Sequence, residues 1–220
     1  MEIILNTDCL EGLTKIANDT IDLALVDPPY FDYKTSHRKD KKDNLSQGIA
    51  QQSREDQIRV VHECIRILKP DRAFFVFTNW EQDWWIQETL GNLLVNKIIW
   101  DKGNWTAGNL KGSFGNQYEV ILLGVKGKWK YTGKRESDIW LITRMGTKRI
   151  HTTEKPVALY EEIIKNSTEE GALILDPYLG SGASAEAAIK LGRHILGYEI
   201  DEIYYKRILE RINKIKEVKE

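Results

Sequence analysis

The chain has only two cysteines among its 220 residues, Cys9 and Cys64, 55 positions apart. Two thiols at that separation build neither a disulfide framework nor a zinc-ligand cluster, and they suit a reducing compartment, where such side chains are more often buried than reactive. There is no run of about 18 apolar residues, which argues against a membrane-spanning helix. The opening MEIILNTDCLEG has no basic stretch followed by a long apolar one, so a cytoplasmic protein without a secretory leader is expected. A basic excess is missing too. Lys and Arg number 32 against 33 Asp and Glu, and a net charge of −1 lacks the overall footprint of a nucleic-acid binder. Internal repeats and low-complexity linkers are also absent.

What is there suffices for one α/β domain with a sizeable core: 41% hydrophobic and 10% aromatic residues over 220 positions. Strand signals recur at Ile3–Leu5, Leu23–Val26, Ala73–Phe77, Lys97–Trp100, Tyr118–Leu123, Leu173–Leu175 and His194–Tyr198. Helical patterns lie between them. Ser53 to Leu68 opens with Ser-x-x-Asp and puts Ile58, Val61, Cys64, Ile65 and Leu68 on one face; others run from Pro156 to about Asn166, from Gly182 through Leu191, and from Asp201 onward. Thr152 and Thr153 are capping candidates for the second. The alternation predicts a doubly wound, mainly parallel sheet of seven strands. Residues 32–52 and 101–117 break it, and loops of that length in a compact domain are usually functional.

Asp27-Pro28-Pro29-Tyr30 follows the apolar run Ile21–Val26, so Asp27 falls at the carboxyl end of a strand, where open α/β sheets bind ligands. The two prolines stop the ladder and stiffen the turn. The Asp27 carboxylate and the Pro28 carbonyl then offer two acceptors to the two hydrogens of an exocyclic amine, and Tyr30 offers a flat face to the ring that bears it. A nucleobase presents that combination. Alone, the same four residues describe an ordinary Pro-rich turn.

A second motif changes the balance. Leu173-Ile174-Leu175-Asp176-Pro177-Tyr178-Leu179-Gly180-Ser181-Gly182-Ala183-Ser184 reads as a strand, a glycine turn and a helix start, where the backbone passes close beneath a ligand and the helix end supplies N–H groups and a positive dipole. Glu199 ends the next strand, 23 residues beyond Asp176, a spacing suited to a carboxylate holding ribose hydroxyls. A nucleoside-containing cofactor is expected here. Gly180-x-Gly182-x-x-Ala185 also satisfies the dinucleotide fingerprint, which keeps a nicotinamide or flavin enzyme as a rival. Against that rival, the motif begins about 45 residues from the last one, leaving little room for the rest of a dinucleotide-binding sheet.

Taken together, the two motifs resemble the amino-group DNA methyltransferases that use S-adenosylmethionine, in the permuted order called the beta class. The resemblance covers nearly the whole chain and includes Asn6-Thr7-Asp8-Cys9-Leu10 and His151-Thr152-Thr153-Glu154-Lys155-Pro156. It implies that Asp27, Pro28, Pro29 and Tyr30 bind the flipped base and carry the transfer. For the cofactor it implies Asp27, Asp176, Tyr178, Gly180, Ser181 and Gly182 around the methionine part, Glu199 at the ribose, Asp8 and Cys9 at the adenine edge, and His151, Thr153 and Lys155 closing over the methionine. Tyr178 replaces the family's usual Phe, and Ala183-Ser184 a common Thr pair. No metal is required, because the methyl group arrives already activated. Adenine N6 is the expected acceptor when the first motif residue is Asp. Cytosine N4, RNA or protein glutamine as substrate, and a non-catalytic DNA-binding subunit are the alternatives. Double-stranded DNA is the implied partner, and a homodimer and a cognate restriction endonuclease are further partners the resemblance allows.

Charge distribution fits better than the net charge. From Lys126 to Arg149 there are eight Lys and Arg against Glu136 and Asp138, and Lys34, Arg38, Lys39, Lys41 and Lys42 follow Tyr30 closely. Both clusters suggest phosphate contact, the alternative being a solvated face. Target recognition is expected from small insertions at about 101–117 and 126–150 of an otherwise single methyltransferase domain.

Overall fold

The apolar runs at Leu23–Val26 and Ala73–Phe77 become central strands because their side chains are buried on both faces of one sheet, the pattern of parallel strands covered by helices. By contrast, Ile3 and Leu5 in the outermost run are each 39% exposed, and Lys97–Trp100 buries only Ile98 and Trp100. A computed structural model describes residues 1–30, 52–105, 112–133, 135–144 and 154–217. Among these the strands are β1 (Glu2–Leu5), β2 (Leu23–Val26), β3 (Arg72–Thr78), β4 (Leu94–Asp101), β5 (Tyr118–Lys126), β6 (Ile139–Leu141), β7 (Leu173–Asp176) and β8 (His194–Tyr198). The helices are α1 (Cys9–Leu13), α2 (Arg54–Ile67), α3 (Asp83–Leu90), α4 (Val157–Ser167), α5 (Ala183–Lys190) and α6 (Glu202–Glu217).

Among the described residues the sheet has eight strands in the order β1-β8-β7-β2-β3-β5-β4-β6, not the expected seven. The extra one, β6, is three residues long inside a basic stretch, too short for a periodic signal; it pairs parallel with β4, and the Trp100 indole N–H donates to the Ile142 carbonyl just beyond it at 2.7 Å. Strands β1, β8, β7, β2 and β3 run parallel, while β5 is antiparallel to both β3 and β4.

Alternate residues of β2 divide between two cores. Leu23 and Leu25 join Phe75, Phe77, Leu159, Ile163, Ala185 and Ile208, from α4, α5 and α6. Ala24 and Val26 join Phe74, Val76, Cys9, Leu13, Val61, Cys64 and Ile86, from α1, α2 and α3. The result is a helix–sheet–helix sandwich. The short helices α1 and α3, each carried by a few apolar side chains, were invisible as sequence periodicity. In α2 the Ser53 hydroxyl caps the helix by accepting from the Asp56 N–H at 3.0 Å, as its Ser-x-x-Asp start predicts. Its buried stripe is Gln57, Val60, Val61, Cys64 and Ile67, shifted from the expected face so that a glutamine points inward. Among the described residues, no helix is long and apolar enough to cross a membrane.

Candidate active site

Going from β7 to β8 the chain steps one way across the sheet, and from β2 to β3 it steps the other, so the order reverses between β7 and β2. Ligands in open α/β sheets sit at the carboxyl ends of the strands beside such a reversal. The register pairs Leu23 with Ile174 and Ala24 with Leu175, which brings the two strand-ending motifs side by side although they lie far apart in the chain. A cavity of about 400 Å³ opens there, and the ends of four adjacent parallel strands feed it: Asp8 and Cys9 after β1, Glu199 after β8, Asp176-adjacent Pro177 to Ser181 after β7, and Asp27 to Tyr30 after β2.

On the β7 side, Asp176 is buried and terminates its strand. One carboxylate oxygen accepts from the Tyr178 N–H at 2.8 Å, and the other from the buried Ser184 hydroxyl in the first turn of α5. Burial pushes its pKa up to about 7; those two hydrogen bonds oppose the shift, and the nearby charges of Asp27 and Glu199 add to it. Glu199 is likewise pushed up to about 7, chiefly by burial. Its two oxygens accept from the Gly180 and Asp201 N–H groups, each at 2.8 Å, so it ties the glycine loop to the start of α6. Gly180 and Gly182 both have positive φ, 52° and 77°, which a side chain would resist. Gly182 turns the chain into α5 and faces Ile208, away from the cavity, whereas Gly180 and Ser181 line it. Tyr178 donates its hydroxyl to Gln52 at 2.5 Å. Asp8 caps α1 by accepting from the Leu10 N–H at 2.8 Å. The Cys9 thiol is pushed up to about 12, mainly by burial and then by the charge of Asp8, so it is a packed thiol and not a nucleophile. His151 and Thr153 lie outside the described residues, as do Thr152 and the basic cluster after Tyr30.

The β2 side holds a set of charges that sequence reasoning did not assemble. Lys155, 6% exposed, donates to the Asp27 carboxylate and stands 3.6 Å from Glu119 at the start of β5. Glu119 also takes Lys102 at 3.3 Å and the Tyr30 hydroxyl at 3.2 Å. The Lys155 ammonium lies 5.4 Å from the Tyr30 ring centre and 5.1 Å from that of Phe77. Burial pushes the Asp27 carboxyl up against the pull of Lys155. Burial alone would lower Lys155, but the Asp27 and Glu119 carboxylates outweigh it and hold the ammonium above its ordinary range. Tyr30 is raised well above 10 by burial and by the charges of Glu119 and Asp27, so it stays a phenol donor. Two further contacts stiffen the frame. The Gln57 amide donates to the Pro29 carbonyl at 2.7 Å, and Arg211 on α6 bonds Glu186, Glu154 and the Ser181 carbonyl, at 3.0 Å for the last.

Glu119 was legible in principle, since it shares a strand face with Ile121 and Leu123 in a buried core, and an acid on such a face needs a partner. Arg211 and Gln57 carry no comparable signal. The basic run Lys126–Arg149 divides. Lys126 pairs with Asp19 at 2.8 Å and caps the Leu68 carbonyl at 2.6 Å, opposite Arg72 at the far edge of the sheet, so the expected phosphate contact does not hold for it. Arg144 lies beside Lys102, its backbone N–H donating to the Lys102 carbonyl with the nitrogen 3.5 Å from the oxygen.

A family model described as DNA methylase matches residues 21–211. The chain is 29% identical to the type II methyltransferase M.HinfI of Haemophilus influenzae, over 98% of this chain and 69% of that protein. It is 27% identical to the DNA adenine methyltransferase YhdJ of Escherichia coli (strain K12), over 96% of this chain and 82% of that one. Among solved structures, the M1.HpyAVI–SAM complex shares the fold with a TM-score of 0.73 at 23% identity, covering 96% of this chain and all of the other.

Proposed function

The chain belongs to the DNA amino-methyltransferase family, and from that premise we propose that it transfers a methyl group from S-adenosylmethionine to the N6 amine of an adenine turned out of double-stranded DNA. The observation that carries this reading is the junction of β2 and β7, where an amine-accepting turn and a glycine loop with buried carboxylates open on one cavity. The cavity fits the cofactor's chemistry: Glu199 in its lining, with Asp176 buried next to the lining Pro177, favours a cationic ligand once ionised, and Cys9, Leu179 and the Tyr178 ring provide apolar wall. Asp8, Cys9, Asp176, Tyr178, Gly180, Ser181 and Glu199 would hold it, with Gly182 shaping the loop from behind; Lys155, expected beside the methionine, has its ammonium on Asp27 and Glu119 instead, and His151 and Thr153 are proposed as further contacts by resemblance. When bound, the cofactor supplies a methyl group activated on a sulfonium.

The protein's share is alignment and charge. Asp27 and the Pro28 carbonyl accept the two amine hydrogens, which favours a tetrahedral nitrogen with its lone pair directed outward, and Asp27 stabilises the positive charge that grows there. Pro29 fixes the turn, and Tyr30 offers its ring to the base. Asp at the first motif position and the name of the E. coli relative support adenine. The family also covers cytosine N4. Sequence reading falls to residues 101–117 and to the part of 126–150 nearest the site. Cytoplasmic location goes with this reading, which also allows a homodimer and a cognate nuclease.

The test is long-read modification mapping of unmethylated DNA incubated with the protein and cofactor. The expected outcome is N6-methyladenine within one short motif; methylated cytosine would reassign the base, and unmodified DNA would refute the proposal. Asp27→Ala should abolish transfer while cofactor binding remains measurable, and near-normal turnover would sink that assignment.

A further inference from the structure

Lys155 already makes two of the contacts that the proposed function reserves for the target base. Its ammonium donates to the Asp27 carboxylate and sits over the Tyr30 ring at 5.4 Å, the acceptor and the face that an exocyclic amine and its ring would use. At 6% exposure it cannot swing into solvent without unpacking its surroundings. Nor can it stay in place during transfer, because the amine nitrogen becomes cationic and a second cation against the same carboxylate would oppose that charge.

Among the described residues, one other carboxylate is in reach. Glu119 stands 3.6 Å from the ammonium and is itself held by Lys102 at 3.3 Å and by the Tyr30 hydroxyl at 3.2 Å. A change of torsion in the flexible lysine stem would carry the ammonium fully onto Glu119. With Asp27 and Glu119 facing Lys155 and Lys102, the cluster has two charges of each sign, and the shift leaves that balance unchanged. Tyr30 joins the two events, since the ring a base would cover carries the hydroxyl that fixes Glu119.

We propose that Lys155 is a positioning residue that competes with the target amine for Asp27, and that Glu119 is the second seat to which it yields as the base arrives. This rests on the methyl-transfer reading above and adds to it a gate: Asp27 becomes available only to a ligand able to displace the lysine from both the carboxylate and the ring. Loosely placed amines and water are poor competitors for that pair.

The experiment is a double-mutant cycle on the full chain, measuring tritium transfer to unmethylated genomic DNA at saturating cofactor. Glu119→Gln keeps one acceptor oxygen, enough for Tyr30 or Lys102 but not both, removes the second carboxylate and strands the lysine on Asp27, so kcat/KM for DNA should fall about 100-fold while the cofactor Kd stays within about twofold. Adding Lys155→Met removes the competitor and leaves one charge of each sign in the cluster, on Asp27 and Lys102, so the double variant should recover about tenfold over Glu119→Gln. A double variant no better than the single one overturns the proposal, because a merely structural pair would lose activity at each step. A second measurement needs no altered site: with [ε-13C]lysine in the wild-type protein, and the Lys155 signal assigned through Lys155→Arg, DNA added with S-adenosylhomocysteine should move that signal. A signal unmoved by DNA also overturns the proposal. Wild-type transfer without rescue removes only the gate, whereas a wild-type protein that transfers nothing removes the methyl-transfer reading and the gate with it.

Discussion

Asp176 should make fold stability and cofactor affinity run in opposite directions with pH. Its carboxyl is 1% exposed, and burial places its pKa at about 7 against an ordinary 3.8. That is about three units, and at about 1.4 kcal/mol per unit the ionised carboxylate costs the ligand-free fold about 4 kcal/mol at alkaline pH. A folded pKa above the unfolded one gives stability that is fully present below 3.8 and lost as pH rises through about 7. Glu199, also near 7, acts in the same sense. A cationic cofactor prefers the ionised form, so its binding should tighten about tenfold per carboxylate between pH 6 and pH 8 and release a fraction of a proton near pH 7. Calorimetric titration with S-adenosylmethionine, repeated in buffers of different ionisation heat, measures both. Asp176→Asn removes one titrating group. Its affinity should be weaker by about 2 to 3 kcal/mol at pH 8, its pH slope reduced to the part left by Glu199, and its melting temperature above wild type only on the alkaline side. An affinity flat from pH 6 to pH 8 with no proton released, or an undiminished slope in Asp176→Asn, would refute the reasoning.

Other perturbations separate frame from chemistry. A Cβ on Gly197 would stand 2.4 Å from the Leu179 side chain, so Gly197→Ala should cost about 1 to 3 kcal/mol in urea denaturation and weaken cofactor binding by pushing the glycine loop; unchanged binding would show that the loop absorbs the methyl. Arg211→Met withdraws the guanidinium from Glu154, Glu186 and the Ser181 carbonyl, and should lower stability by about 3 kcal/mol and raise the cofactor Kd together, whereas a loss of stability alone would mean that this cluster does not shape the site. The Gln57 Oε1 is buried with no partner among the described residues, so Gln57→Leu should change thermal stability by no more than about 1 kcal/mol. Freed of its 2.7 Å bond to Gln57, the Pro29 carbonyl can drift, and kcat should fall about tenfold; equal kcat would rule out Gln57 as the brace of that turn.

The proposed division between cation-favouring and amine-accepting chemistry would follow from the strand order. Parallel strands present their ends on one edge, and a reversal of order leaves a gap between the helices that cover them. Here the gap lies between β7 and β2, and carboxylates of two kinds meet around it: Glu199 in its lining with Asp176 buried at the strand end next to it, held by backbone N–H groups and a serine, and Asp27 in its lining with Glu119 outside the lining, held by lysines. The first pair titrates near neutrality and answers to a ligand's charge. The second is paired with buried lysines, Asp27 with Lys155 and Glu119 with Lys102 and Lys155.

Sequence alone determined what depends on a few consecutive residues. The apolar runs that became β2, β7 and β8, the Ser53 cap of α2, and Asp27 and Asp176 at the ends of their strands were all readable, because strand termination and capping are settled within one turn of chain. The doubly wound class followed from their alternation with helices. It did not reveal α1, α3 or β6, which are too short to show a period and exist because neighbouring elements bury them. Nor could it place Lys126 at the far edge of the sheet, since that depends on β5 running antiparallel. Above all, it could not bring Lys155 to Asp27, 128 residues away, or set Glu119 beside both. Those contacts follow from strand order, and strand order is decided by how the whole sheet buries its two faces against the helices that cover it.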